Sequence, residues 1–270
     1  MTLGELLRGS GLPWLEAQVL AGHALGLSRT QVVAEAGLAV PEAEAVRVEA
    51  LFARRRAGEP VAYLTGEREF YGLSIAVTPA VLIPRPETEL LVDYARELLA
   101  PGRPARVLDL GTGSGCVAIA VASERPAARV TAVDASAAAL EVARANAARL
   151  GASVTFVQSD WFAALGDTCY ELILGNPPYV AAGDPHLGQG DVRFEPQSAL
   201  VAGADGLDCI RAIVAAAGAH LVAGGHLAFE HGYDQAAACR ALLSQAGFVD
   251  VGSRRDLAGI ERVTCGARPA

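Results

Sequence analysis

The stretch Arg106-Val107-Leu108-Asp109-Leu110-Gly111-Thr112-Gly113-Ser114-Gly115 reads as an apolar strand that runs into a glycine-rich turn, with a helix expected next over 116–123. Glycines in such a turn let the backbone approach a ligand closely. From Ala105 onward the pattern alternates: strands are expected at 106–110, 129–133, 153–157, 170–174 and 226–230, with helices between most of them and a β-rich end at 248–266. This alternation predicts a doubly wound α/β domain that holds its ligands at the carboxyl ends of the strands.

A glycine-rich turn alone is shared by dinucleotide enzymes and by tight structural turns. The second strand, Val130-Thr131-Ala132-Val133-Asp134, ends in an acid about twenty residues beyond the glycines, the spacing at which a carboxylate accepts from ribose hydroxyls. The plainer alternative for Asp134 is a helix cap. Two ligands fit the turn, a nicotinamide dinucleotide or S-adenosylmethionine. A dinucleotide lays its pyrophosphate on the helix N-terminus through G-x-G-x-x-G, whereas here the third glycine follows only two residues after the second. S-adenosylmethionine has no phosphate, and its cationic sulfonium tolerates a carboxylate such as Asp109 that would repel a pyrophosphate. Ser159-Asp160-Trp161, after the third strand, supplies an acceptor and a flat apolar surface for an adenine, or else a core tryptophan beside a capping acid.

The fourth strand, Tyr170-Glu171-Leu172-Ile173-Leu174, ends in Gly175-Asn176-Pro177-Pro178-Tyr179. Two prolines remove two N–H groups and hold the backbone extended, leaving its carbonyls as acceptors. A primary amide or aromatic amine offers two donors, and Asn176 Oδ1 with the Pro177 carbonyl accepts both, aiming the nitrogen lone pair outward. Tyr179 is expected to pack on the planar group through its ring face, so that its hydroxyl matters little. A stiff loop in which Asn176 bonds its own turn is the alternative.

The chain has 270 residues and 52% hydrophobic composition, enough for a sizeable core. Its charge of -8 opposes a general grip on nucleic acid. All 22 basic residues are arginine, which excludes a phosphate-loop lysine, a Schiff base and a kinase-type lysine. Cys116, Cys169, Cys209, Cys239 and Cys265 form no C-x-x-C pair, so neither a metal site nor a disulfide framework is expected. The first residues form no secretory signal, and the apolar run 212–229 is expected to be broken by His220, Gly224-Gly225 and His226 rather than to span a membrane.

Residues 1 to about 60 read as short helices: Thr2-Leu3-Gly4-Glu5 has capping-box spacing, Pro13 opens a helix that Gly26 closes, and Pro41 starts one that runs to about Ala57. Arg54-Arg55-Arg56 is expected to be a solvated helix end. Glu67 to Ile83 alternates around Tyr71-Gly72 as a hairpin, and Pro84-Arg85-Pro86-Glu87-Thr88-Glu89 opens a further helix. Residues 180–206 form a long connection directly after the proposed site.

Together Asp109 to Gly115, Asp134, Ser159-Asp160-Trp161 and Asn176 to Tyr179 resemble the class I S-adenosylmethionine-dependent methyltransferases that modify exocyclic amino or amide nitrogens. With Pro84 to Glu89, the loop His186 to Pro196 and the ending Glu261-Arg262-Val263, the chain is similar to the protein-glutamine N5-methyltransferases of the HemK/PrmC type. Ile260 departs from that pattern, in which a polar residue is expected. The resemblance implies a Rossmann-like methyltransferase domain over 84–270, a helical docking domain over 1–66 and a hairpin linker over 67–83. It implies cofactor contacts from Gly111, Thr112, Gly113, Ser114, Gly115, Asp134, Asp160, Trp161 and Asn176. Asn176, Pro177, Pro178 and Tyr179 would hold the substrate glutamine, with Asn176, Pro177 and Tyr179 as the catalytic set and no metal. The implied substrate is the Gly-Gly-Gln glutamine of class I peptide chain release factors, for a cytoplasmic monomer that binds neither nucleic acid nor membrane. The rivals are a glutamine methyltransferase of a large-subunit ribosomal protein, an adenine-N6 methyltransferase and a non-catalytic cofactor-binding adaptor.

Overall fold

The computed structural model describes all 270 residues, which divide into two compact units, Met1–Glu67 with Gly188–Phe194, and Arg68–Leu187 with Glu195–Ala270. The first unit is helical: α1 (Leu3–Gly9), α2 (Trp14–Leu25), α3 (Arg29–Ala34), α4 (Glu42–Arg56) and α5 (Val61–Thr65). Thr2 and Glu5 close a capping box on α1, and Gly26 ends α2 in the left-handed conformation. Two helices go beyond the three expected, α3 with its own capping box from Ser28 and Gln31, and α5 opening after Pro60. Leu3, Leu6, Leu20, Val48 and Phe52 form the core of this unit.

The segment 188–194 belongs to the helical unit, which sequence periodicity does not reveal. Arg55 is the reason: its guanidinium donates to Glu16 Oε2 at 2.7 Å and to Asp191 Oδ1 at 2.7 Å, and its side chain is only 18% exposed. Arg193 adds a bond to the Ala57 carbonyl at 2.9 Å. The expectation of a solvated triplet at 54–56 is therefore corrected for Arg55, a joint between α2, α4 and this segment.

The second unit starts at Arg68, within a hairpin of β1 (Glu67–Phe70) and β2 (Leu73–Ala76) turned by Tyr71 and Gly72 at φ of 53° and 73°. Two successive positive φ values match the mirror-image turn that suits strand twist. Its pairing ends at Ala76 rather than Ile83, because the partner strand β1 begins only at Glu67 and the two-residue turn at Tyr71-Gly72 sets Ala76 opposite it. A short 3-10 turn at Pro86–Thr88 leads into α6 (Glu89–Leu98).

Then follow β3 (Arg106–Leu110), α7 (Cys116–Glu124), β4 (Arg129–Asp134), α8 (Ala137–Leu150), β5 (Val154–Gln158), β6 (Tyr170–Gly175), α9 (Asp208–Ala217), β7 (Leu221–Glu230), α10 (Ala236–Gln245), β8 (Val249–Arg255) and β9 (Glu261–Ala267). The seven strands are ordered β5-β4-β3-β6-β7-β9-β8, parallel from β5 to β7, with β9 antiparallel to both its neighbours. Leu108, Leu110, Ile173, Leu227 and Phe229 pack against Ile210 and Ile213 of α9 and Leu243 of α10. Alternate residues Val107, Leu172, Leu174 and Ala228 are also buried, on the face opposite, so the sheet is covered on both sides. Strand order reverses between β3 and β6, which opens a crevice at their carboxyl ends.

No helix is long and apolar enough to cross a membrane. The run 212–229 is divided between α9 and β7, but Gly224-Gly225 lie inside β7 rather than breaking it. They sit where the β6–β7 register shifts between the Tyr170–Leu221 and Leu172–His226 pairs, a bulge that takes up the extra residues. At the C-terminal hairpin Ile260 is 36% exposed and its N–H donates to Asp256 Oδ1 at 2.9 Å, so this turn is held by backbone and Asp256 rather than by the side chain at 260.

Candidate active site

The crevice holds a cavity of about 400 Å³, within the range that takes a drug-sized ligand. Gly111, Thr112, Gly113, Ser114, Asp134, Asp160, Trp161, Asn176 and Pro178 all line it, from the ends of four strands. Gly115, Pro177 and Tyr179 do not. Gly115 caps α7 at φ 84°, where an added Cβ would stand 3.1 Å from Ala143 Cβ, so it serves close packing of α7 on α8. Pro177 is buried, and Tyr179 turns into the core beside β7.

The glycine turn is held from three sides. Gly113 donates its N–H to Asp134 Oδ2 at 2.9 Å, while Ser136 N donates to Asp134 Oδ1 at 2.8 Å. Ser136, not Asp134, caps α8 with its own side chain. A carboxylate has about four acceptor sites, so two bonds leave Asp134 capacity for hydroxyl donors in the cavity. Asn146 of α8, wholly buried, donates to the Ser114 and Ala76 carbonyls at 2.9 Å each and accepts from Ala76 N at 2.8 Å. It pairs with β2 as a strand would, and fastens the turn to it.

Asp109 lies under the turn and accepts from Thr112 Oγ1 at 2.6 Å. Burial pushes its carboxyl up to about 7, against the lowering effect of the Thr112 bond. A cationic ligand would favour its charged form, whereas a pyrophosphate beside Asp109 and Asp134 would be repelled. Trp161 carries φ of 46°, an uncommon backbone state for a bulky residue, and its ring stands against Gly111. Strain at such a residue marks a constrained position, here one that lays the indole along the cavity wall. Burial pushes the Cys116 thiol up to about 12, so this cavity-lining cysteine presents no thiolate nucleophile.

Asn176 Nδ2 donates to Thr88 Oγ1 at 3.1 Å, and Thr88 donates to Glu230 Oε2 at 2.6 Å. Tyr179 Oη donates to the other oxygen, Glu230 Oε1, at 3.0 Å. The ring-face expectation for Tyr179 is thereby revised: its hydroxyl satisfies a buried carboxylate. Burial, then the nearby Glu230 charge, holds its phenol well above the usual range. Thr88 and Glu230 are the site residues that sequence reading missed. Thr88 was visible only within the helix opening at 84–89, and Glu230 as an acid at the carboxyl end of an otherwise apolar parallel strand.

These features fit S-adenosylmethionine: acceptors at Asp134, a flat ring at Trp161, a buried carboxyl at Asp109 whose charged form a cationic ligand would favour, and no concentration of cations. A methyltransferase small domain model matches residues 87–190, and a PrmC N-terminal domain model matches residues 4–66. The release factor glutamine methyltransferase of Burkholderia pseudomallei is 54% identical over 99% of this chain and 96% of its own. That of Bordetella pertussis is 54% identical over 98% of both chains. The chain belongs to the release factor glutamine methyltransferases. Among solved structures it resembles the 16S rRNA N2 G1207 methyltransferase of T. Thermophilus in complex with AdoMet and guanosine, with a TM-score of 0.57 and 20% identity over 75% of this chain and 49% of that one. That likeness shows the fold. Within the release factor glutamine methyltransferase framework, Asn176, Thr88, Tyr179 and Glu230 form one bonded group at the switch point of the sheet.

Proposed function

We propose that this enzyme transfers the methyl group of S-adenosylmethionine to the side-chain amide nitrogen (N5) of the glutamine in the Gly-Gly-Gln motif of a class I release factor, in the cytoplasm where translation ends. The observation that carries this reading is the polarity of Asn176. Its nitrogen is held by Thr88, and Oδ1 accepts no bond within the protein. No buried side-chain oxygen or nitrogen lacks a partner, so Oδ1 is open to the cavity that Asn176 lines.

An amide nitrogen is a poor nucleophile because its lone pair is delocalised into the carbonyl. Asn176 Oδ1 and the backbone carbonyl of Pro177, whose ring is buried rather than lining the cavity, accept the two N–H bonds of the substrate amide and turn the lone pair toward the methyl, so the chain's main contribution is alignment. The same acceptors stabilise the positive charge that grows on nitrogen. The bound cofactor supplies an electrophilic methyl on a cationic sulfur. After transfer the nitrogen is acidic and gives up its proton without a strong base. Asp134 holds the cofactor's hydroxyls, Asp160 and Trp161 its adenine, and the glycines its closest approach to backbone.

Selectivity for a protein comes from remote contacts, because the site itself reads only an amide and adjoining backbone. The helical unit is the docking surface in this reading, and its match to the PrmC N-terminal domain model supports that role. Release factor, a large-subunit ribosomal protein and adenine-containing DNA are incubated in parallel with the enzyme and cofactor, and the products are mapped by mass. One added methyl on the Gly-Gly-Gln glutamine is expected. Transfer to DNA, or to the ribosomal protein alone, would overturn the proposal.

A further inference from the structure

Thr88, Glu230 and Tyr179 form a chain of hydrogen bonds behind Asn176. A hydroxyl has one hydrogen, and that of Thr88 is committed to Glu230 Oε2 at 2.6 Å, so only its lone pairs face Asn176. Lone pairs accept the amide N–H and reject the amide oxygen, which fixes Nδ2 toward Thr88 at 3.1 Å. Glu230 is 1% exposed, and Tyr179 Oη occupies its second oxygen at 3.0 Å.

We propose that Thr88 and Glu230 are positioning residues for methyl transfer, a relay in which the ionised Glu230 carboxylate sets the direction of the Thr88 hydroxyl and thereby holds Asn176 Oδ1 toward the substrate amide. This rests on the substrate reading above and adds the device that orients its acceptor. With Glu230 protonated, the carboxylic acid donates to Thr88 Oγ1, and the freed Thr88 hydrogen is offered to Asn176. The amide then turns over to present Oδ1 to Thr88, and Nδ2 faces the cavity. Two donors there oppose the two N–H donors of the substrate, and alignment is lost.

The groups that face Glu230 are Glu87 and Thr88 from the turn before α6, Tyr179 from the loop after β6, Arg262 from β9 and Cys116 from α7. Burial lowers the adjoining His231 and disfavours its charged form, and its two ring nitrogens are engaged by the Gly232 carbonyl and Thr264 Oγ1. Burial and Glu87 raise Glu230, to about 7, while Thr88, Tyr179 and Arg262 oppose them. The relay therefore switches within a range that enzyme assays reach.

The test measures kcat, and KM for release factor, at saturating cofactor from about pH 5.5 to about pH 9 in wild type, Thr88→Val, Thr88→Ser and Glu230→Gln. Cofactor affinity by calorimetry reports folding in each. Wild-type kcat should fall as pH drops through about 7. In Glu230→Gln this limb should be lost or moved, because the side chain no longer ionises. Thr88→Val should lower kcat about tenfold or more, the size of one lost orienting bond, with cofactor affinity within about threefold, and Thr88→Ser should restore most of it. Thr88→Val with wild-type kcat, or an unaltered pH profile in Glu230→Gln, would overturn the relay alone. If Glu230→Gln fails to fold, the Thr88 pair decides. Wild type that leaves release factor unmethylated at every pH would sink the substrate reading and the relay with it.

Discussion

Asp134 joins two tasks in one carboxylate. It holds the Gly113 and Ser136 N–H groups, and it lines the cavity with acceptor sites to spare. Asp134→Ala should weaken S-adenosylmethionine binding by about 1.5–3 kcal/mol, roughly ten- to 150-fold, the loss usual for hydrogen bonds to a charged group. Asp134→Asn keeps one acceptor and should lose less. Calorimetry reads both, and equal affinity across all three proteins would remove Asp134 from the site. Tyr179→Phe looks mild if only the ring face counts. The structure predicts otherwise: without the hydroxyl, Glu230 Oε1 is a buried acceptor with no donor, a loss of about 1–3 kcal/mol in stability. The Tyr179 bond also lowers the Glu230 pKa, so the variant should titrate at higher pH than wild type. Urea unfolding that matches wild type would contradict this.

At the scale of elements, the hairpin β1–β2 is fastened to the methyl-transfer domain by a side chain rather than by a strand. Asn146 makes three bonds to the Ala76 and Ser114 backbone with no exposure. Asn146→Ala leaves those groups unpaired, and at roughly 2–3 kcal/mol it should lower Tm by roughly 4–12 °C in a chain of this size, as calorimetric scanning would show. Such a link is invisible in sequence because an asparagine inside the alanine-rich α8 reads as one more polar helix position. The strands were legible for the opposite reason. Buried parallel strands such as Leu172-Ile173-Leu174 are continuous apolar runs bounded by glycine or proline, and their carboxyl ends carried Asp134, Trp161 and Asn176 in readable order. Thr88 and Glu230 stand 142 residues apart, and only the fold brings them to 2.6 Å. The loop after Tyr179 was legible as long and adjacent to the site. Its path was not, because Glu195 is held by an ion pair with Arg85 at 2.5 Å and by Ile83 N, contacts with no periodic signature.

At the scale of the molecule, two buried carboxyls shape the response to pH. Asp109 and Glu230 both titrate near 7 in the folded state, against ordinary values of 3.8 and 4.5. Between those values and 7 the folded chain keeps protons that the unfolded chain releases, so their contribution makes stability fall as pH rises across that window and level off above it. Asp205, lowered to about 2 by its bond to Arg211, acts in the opposite sense but only at pH below about 4. Urea midpoints at about pH 5 and about pH 8 should therefore differ less in Asp109→Asn or Glu230→Gln than in wild type. The second molecular consequence lies in Arg55. It ties the segment 188–194 to Glu16 of α2, and Gly58 leaves the room that the Arg193 guanidinium occupies. That segment continues directly into Glu195 and then Pro196, Ser198 and Ala199, which line the cavity. The segment 188–194 is thus covalently continuous with the site. Arg55→Ala should release 188–194, raising its hydrogen exchange and lowering kcat/KM for release factor several-fold, while cofactor affinity, set by the glycine turn and Asp134, stays within about twofold. Unchanged exchange in that segment would show that Arg193 alone holds it, and a parallel loss of cofactor affinity would mean that the segment supports the cavity itself rather than the protein substrate.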